Sequence, residues 1–285
     1  MKNRAASLRA RLLNLSKKEN IEFQVLISRF LHERLLYRIS VSEYSNHFIL
    51  KGGAFIYALQ GIKTRPTTDI DLLGQQIAND VDTLCNIFRK ICTSESTDEV
   101  HFSPERIHGE PIAEQEKYNG VRVFVDAQFG TIRQRLQIDI GFGDIVTPEN
   151  LHLEYPVLLD EMEIPVVRAY SVETVIAEKF QAMIERSLFN SRMKDFYDIY
   201  KLLIANNYNA ALLSEAITST FKNRETAYTK EHSLFTAEFA TDTQRLGNWS
   251  AFLRKIKQDQ VLTFEVVMTA ITTKLQPYWE NLKEE

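Results

Sequence analysis

Residues 48–73 read FILKGGAFIYALQGIKTRPTTDIDLL, and the fold turns on how this stretch is parsed. A short apolar run, Phe48-Ile49-Leu50, meets Lys51-Gly52-Gly53 and then a second apolar stretch to Leu59. That pattern is a strand running into a helix. A Gly/Thr/Pro break at 61–68 follows, and Asp69-Ile70-Asp71-Leu72-Leu73 then reads as another strand. In an extended segment Asp69 and Asp71 leave the same face, about 6.6 Å apart along the chain. Carboxylates so placed can converge on a hard cation such as Mg²⁺, which takes oxygen ligands. Alone, an Asp-x-Asp pair is most often merely solvated, so its neighbours decide.

Gly52-Gly53 sits at the expected strand-to-helix junction. Glycines there let backbone N–H groups approach a phosphate, whose charge the helix N-terminus favours; the alternative is a plain turn. Arg65 and Thr67 precede the acid pair and could reach phosphate or ribose oxygens, or could simply form a polar loop. Residues 120–142 carry the clearest β signal. Val121, Val123 and Val125 alternate up to a turn at Gly130-Thr131, and Ile132, Leu136, Ile138 and Ile140 alternate beyond it. An antiparallel hairpin is expected. Asp139 is an acid in an otherwise apolar strand. Period two places it with Arg133 and Arg135, so a structural ion pair is the alternative to a third metal acid. Three acids on adjacent strands beside a glycine turn form the arrangement that two-metal nucleotidyl transfer requires.

The remaining composition sets bounds. At 285 residues the chain has room for about two domains and for a full core without staples. Its 10 Gly and 7 Pro exclude collagen and long flexible linkers, and no apolar run reaches a membrane span. Cys85 and Cys92 would lie about 10 Å apart on one helix, too far to bridge. With no second cysteine pair and no ligand-like histidine spacing, a zinc site is not expected. Net charge is −4, yet residues 1–18 hold six bases and no acid, leaving −10 on the rest. That start reads as a first helix packing Leu8, Leu12 and Leu15, with a transit peptide as the less favoured alternative. Any nucleic-acid contact must come from local patches.

Downstream, the chain is expected to be helical from Ser171 nearly to its end. In the first of these helices Lys179 falls within the apolar stripe Val172, Val175, Ile176 and Met183, where a lysine is costly unless its amine finds a partner. In the next, Asp195 lies on the apolar face and Asp198 borders it. Snorkelling by Lys179 and helix capping by Asp195 are the alternatives to a lysine and a carboxylate facing one cleft. Mixed α/β sequence before a helical tail gives domains 1–168 and 169–285, the second contributing Lys179 and Asp195.

Taken together, Lys51-Gly52-Gly53, Arg65-Pro66-Thr67-Thr68-Asp69-Ile70-Asp71 and the single acid Asp139 resemble the DNA polymerase β-type nucleotidyltransferase superfamily. The runs Leu136–Asp144, Glu154-Tyr155-Pro156, Glu173–Phe180 and Lys194-Asp195-x-x-Asp198-Ile199 resemble the AbiEii/AbiGii toxin family within it. The resemblance implies an α+β fold: a polymerase β-like core with a mixed, mainly antiparallel sheet, followed by a helical C-terminal domain. It implies dependence on Mg²⁺ and a nucleoside triphosphate. Family members serve as toxins of type IV toxin–antitoxin systems, several by adding nucleotides to the 3′ end of tRNA, so a tRNA or other RNA acceptor and a cognate antitoxin are the expected partners. By motif match, Asp69 and Asp71 are the metal acids, and Gly53 and Thr67 lie beside the triphosphate with Lys51, Gly52 and Arg65. Lys179 and Asp195 are the later essential pair. Asp139 matches the superfamily's third acid, a position that varies among the toxins. Arg133, Arg135, Arg192 and Lys194 are further candidates for phosphate contact. A small-molecule or protein hydroxyl as acceptor, and a nucleotide- or RNA-binding module without turnover, stand as rival readings. A cytoplasmic location without membrane association is the default.

Overall fold

In the computed structural model, residues 4–94, 96–114, 118–149, 151–257 and 262–282 are described. The basic N-terminal segment forms helix α1 (Arg4–Glu19), which buries Leu8 and Leu12 and half-buries Leu15, as the leucine spacing anticipates. Helix α2 (Phe23–Ser40) seats Leu26, Ile27, Phe30, Leu31 and Leu35 in the core. It also carries Arg29, His32, Glu33, Arg34 and Arg38 inside. Buried charge is tolerable only when paired, and the fold supplies partners from distant segments. The Arg38 guanidinium grips both oxygens of Asp98 at 2.6 and 2.9 Å. Arg34 donates to the Glu163 carbonyl at 2.7 Å and pairs with Glu33 at 2.8 Å. Glu33 in turn accepts the Leu158 N–H at 2.8 Å, and burial pushes its pKa up to about 7.

The expected strand–helix–strand appears as β1 (Phe48–Lys51), α3 (Gly52–Gln60) and β2 (Asp69–Gly74). Helix α4 (Val81–Cys92) follows, its Asp80 N-cap accepting the Thr83 N–H at 2.8 Å, with both cysteines free and buried on it. The hairpin is β5 (Tyr118–Phe129) and β6 (Ile132–Gly141), closed at Gly130, whose φ of +58° glycine adopts readily. The β3 (Val100–Phe102), β4 (His108–Glu114), β7 (His152–Glu154) and β8 (Val166–Ala169) strands are short or interrupted, and β4 contains Gly109 and Pro111. Proline is tolerated there because β4 lies on an edge. Among the described residues the strands form one eight-stranded sheet in the order β3-β5-β6-β2-β1-β8-β7, with β4 also on β5. The pairs β1–β8 and β2–β6 are parallel and the rest antiparallel, giving a mixed, mainly antiparallel sheet. The fold class is α+β.

The chain divides into two compact units, Met1–Gly143 with Asn150–Ala169, and Asp144–Glu149 with Tyr170–Glu285. The second holds α5 (Val172–Arg186), α6 (Met193–Ala205), α7 (Ala210–Asn223), α8 (Ala237–Thr241), α9 (Thr243–Lys255) and α10 (Phe264–Asn281). Its core is aromatic, with Phe196 against Phe264 edge-on at 5.3 Å and Phe180 against Phe221 at 5.3 Å. Segment 144–149 joins it through polar bonds: Ser171 Oγ donates to the Thr147 carbonyl at 2.6 Å, and Arg224 pairs with Asp144 at 2.8 Å. Among the described residues no helix is long and apolar enough to cross a membrane.

Replacing Asp98 by Ala leaves the buried Arg38 guanidinium without its carboxylate. Urea denaturation of Asp98→Ala is expected to show a loss of about 3–5 kcal/mol, and a loss below about 1 kcal/mol would mean the pair does not anchor α2.

Candidate functional site

One row of side chains crosses the sheet in register. Lys51 of β1 faces Asp71 of β2, which faces Asp139 of β6; Asp139 faces Arg122 of β5, and Arg122 faces Glu110 of β4. Asp69 stands two residues before Asp71 on the same face, opposite Gln137. Ligand oxygens of Asp69, Asp71 and Asp139 lie within 4.8 Å of one another, and all three residues are half-buried. An all-oxygen set with three negative charges fits a hard divalent cation. The three acids singled out in the sequence therefore meet at one point.

The glycines make room for this cluster. Gly52 adopts φ +65°, and a Cβ there would stand 1.9 Å from Asp71 Oδ2. A Cβ on Gly53 would lie 2.5 Å from Thr67 Oγ1. The Gly53 N–H, at the start of α3, points to Asp71 Oδ2 at 3.4 Å, and Thr67 Oγ1 donates to Asp69 Oδ1 at 2.8 Å. Beside phosphate approach and a plain turn, the packing gives these glycines a further reason: an acid and a threonine occupy the space their side chains would take. The Lys51 ammonium lies beside Gly141 of β6, and Arg65 folds back to donate to the Pro66 carbonyl at 3.3 Å.

Support comes from α2. Arg29 donates to the carbonyls of Ile62 and Thr64, bracing the loop that carries Thr67, and stacks over Tyr57 at 4.7 Å. His32 lies beneath: burial lowers its pKa to about 4 against the opposing pull of Asp69. Neither Arg29 nor His32 is among the candidates that the sequence offers, because their partners lie on segments distant in the chain.

Asp139 does not pair with Arg133 or Arg135 as the single-strand period suggested. Arg135 pairs with Asp126 at 2.8 Å, and Arg133 is exposed. The partner is Arg122 of the neighbouring strand, with Nε to Oδ1 and Nη2 to Oδ2 both at 2.8 Å. The hydrogen bonds to Asp139 raise the Arg122 pKa above its ordinary value. The signal was present in the sequence, because a two-residue turn at 130–131 sets the register that makes 122 and 139 partners.

In the second unit Lys179 Nζ lies 2.7 Å from Asp195 and 3.0 Å from Asp198, and Arg192 Nε lies 2.7 Å from Asp195. Both acids are buried. This cluster replaces both simpler alternatives, since Lys179 is partnered and Asp195 lies inside α6, whose N-cap is Arg192. Burial pushes the Asp195 pKa up, but Lys179 and Arg192 outweigh it and bring it to about 2. Arg192, a candidate for phosphate contact, is thus engaged by Asp195, whereas Lys194 is exposed.

A carboxylate triad on the central strands of a mixed sheet, beside a glycine-started helix, is the framework of a nucleotidyltransferase. The chain belongs to the family described as nucleotidyl transferase AbiEii toxin, type IV TA system, which it matches over residues 34–278. It is accordingly a transferase of nucleotidyl groups from a toxin family. Two crystal structures from Helicobacter pylori are similar, each at 13% identity. JHP933 has a TM-score of 0.49, with 92% of this chain and 94% of that chain covered. An inferred nucleotidyltransferase has a TM-score of 0.50, with 92% and 97% covered, and shares the fold. No curated protein matches the chain.

Two outcomes follow from this geometry. Gly52→Ala should push Asp71 aside and weaken Mn²⁺ binding by about tenfold or more in calorimetry. Gly61→Ala, also at positive φ (+79°) but with open space around its Cβ, should leave that affinity unchanged. Separately, the Asp195 carboxyl is depressed from 3.8 to about 2, so its stabilisation is present above pH 3.8 and is lost as pH falls toward about 2. Acid unfolding of Asp195→Asn should therefore show a shallower loss of stability than wild type across that window.

Proposed function

We propose that this protein transfers a nucleoside monophosphate from a nucleoside triphosphate to a hydroxyl of an RNA acceptor, the 3′ end of tRNA foremost, as the toxin of a type IV toxin–antitoxin pair. The observation that carries the reading is the meeting of Asp69, Asp71 and Asp139 within 4.8 Å on a chain of the AbiEii family. The acceptor hydroxyl loses its proton, to Asp139 or to water, as its oxygen attacks the α-phosphorus; the bond from that phosphorus to the bridging oxygen breaks, and pyrophosphate leaves. Asp69 and Asp71, with Asp139, would hold Mg²⁺, which when bound supplies charge stabilisation to the attacking and leaving oxygens. The helix N-terminus that opens α3 at Gly52 and Gly53 would favour the charge of a phosphate. Thr67 fixes Asp69 in place, and Lys51 sets positive charge beside the row of acids. Lys179 and Asp195 enter on the family's motif pattern as an essential ion pair of the second unit. A cognate antitoxin is the protein partner that the family implies.

Label transfer tests this. The purified chain, Mg²⁺, each α-labelled nucleoside triphosphate and total RNA should give a labelled tRNA-sized band with wild type and none with Asp69→Asn. Transfer to RNA should also fall steeply with salt, because phosphate contacts release counterions. Wild-type transfer by Asp69→Asn would overturn the metal assignment. Label in protein or small molecules with a blank RNA lane would move the acceptor.

A further inference from the structure

Asp139 has both of its carboxylate oxygens occupied. Oδ1 accepts from Arg122 Nε at 2.8 Å and from Gln137 Nε2 at 3.1 Å; Oδ2 accepts from Arg122 Nη2 at 2.8 Å and from Gln137 Nε2 at 3.2 Å. An ionised carboxylate offers about four lone-pair sites, and these four contacts account for them. Two come from a guanidinium fork, the geometry that binds a carboxylate most tightly. A cation drawing on Asp139 must therefore take over a position that Arg122 or Gln137 holds, and of the two only Arg122 also opposes it by charge. The same holds for a proton leaving an acceptor hydroxyl.

Arg122 also has somewhere to go. Its Nη1 stands 3.8 Å from Glu110 Oε1, its register partner on the far side from Asp139. The Glu110 side chain is 56% exposed and that of Arg122 31%, so the fork can shift toward Glu110 without opening the core. Asp71 and Asp139 face each other across the β2–β6 ladder, and like charges placed so repel. A positive group on Asp139 relieves that repulsion before any metal arrives.

We propose that Arg122 is the resident counter-ion of the third carboxylate, and that a divalent cation entering the triad displaces its fork from Asp139 toward Glu110. The inference rests on the nucleotidyltransferase reading of the site and adds a competitor for its metal. Arg122 is a positioning residue that acts through Asp139: it holds the acid's oxygens in place before a cation binds, and it raises the cation concentration needed to fill the triad. A prop that only held Asp139 in place would have the opposite effect on affinity, because its removal would loosen a ligand.

The experiment is Mn²⁺ titration by calorimetry on the full chain without nucleotide, comparing wild type, Arg122→Gln and Arg122→Lys. Each is repeated with Asp139→Asn. Arg122→Gln is expected to tighten Mn²⁺ about tenfold, and Arg122→Lys, which keeps the charge but loses the fork, by a smaller factor. Both gains should vanish in the Asp139→Asn background, as a double-mutant cycle requires of an effect carried by that pair. Circular dichroism checks folding, and Arg122→Lys keeps the test open if Arg122→Gln does not fold. Unchanged or weaker Mn²⁺ binding in the folded Arg122 variants would overturn the inference, as would a gain that persists with Asp139→Asn. Wild type that transfers label but binds no Mn²⁺ would overturn it too. Wild type that neither binds Mn²⁺ nor transfers label would overturn the reading beneath it.

Discussion

Two carboxylates, Asp71 and Asp139, stand opposite each other across the parallel β2–β6 ladder, and the surrounding charges are arranged around that repulsion. A sheet stabilised by packing alone would place apolar or oppositely charged residues there. Here the charges run Lys51, Asp71, Asp139, Arg122, Glu110 along a single row, so the two acids have a base on either side. Moving β6 by one residue would turn Asp139 to the opposite face and Ile138 out of the core. The buried run Leu136, Ile138 and Ile140 therefore fixes the acid as firmly as any contact the acid makes.

Helix α2 meets the second demand of such a site, a rigid support. An acid cluster is useful only if its geometry holds when empty, yet the loop 61–68 carrying Thr67 has no secondary structure of its own. Arg29 supplies what the loop lacks by donating to two of its carbonyls from beneath. The same helix uses Arg34 and Arg38 to tie the segments around Asp98 and Glu163. Its inner face thus resembles a set of backbone clamps more than an oily stripe, and the charges it buries are repaid by the loops they order. In the second unit the cluster of Lys179, Asp195, Asp198 and Arg192 follows the same rule, with each buried acid facing a cation within about hydrogen-bond reach.

Much of the sheet was legible in the chain, because its strongest signals are local. Alternation at 121–125 and 132–140 with a turn between gave the hairpin, and the glycine junction gave β1 and α3. The β3, β4, β7 and β8 strands were not legible. They are three, seven, three and four residues long, and β4 is broken by Gly109 and Pro111, so period-two reasoning has little to count. The wrong partner for Asp139 came from reading one strand at a time. Arginines four and six residues before Asp139 on β6 match it in period, while the cross-strand position carries the closer and better-aligned fork.

By itself the sequence determined the candidate residues: Asp69, Asp71 and Asp139 as acids, a glycine pair before a helix, and a lysine and aspartate placed where apolar residues belong. Those are statements about residue type and short-range period, and both are written along the chain. Only the tertiary structure decided that Asp71 and Asp139 are neighbours, that Arg122 occupies Asp139, and that Arg29 braces the loop from α2. Each joins segments between 17 and 68 residues apart. Such contacts depend on parallel pairing and helix placement, which the whole core sets by excluding water from surfaces distant in sequence.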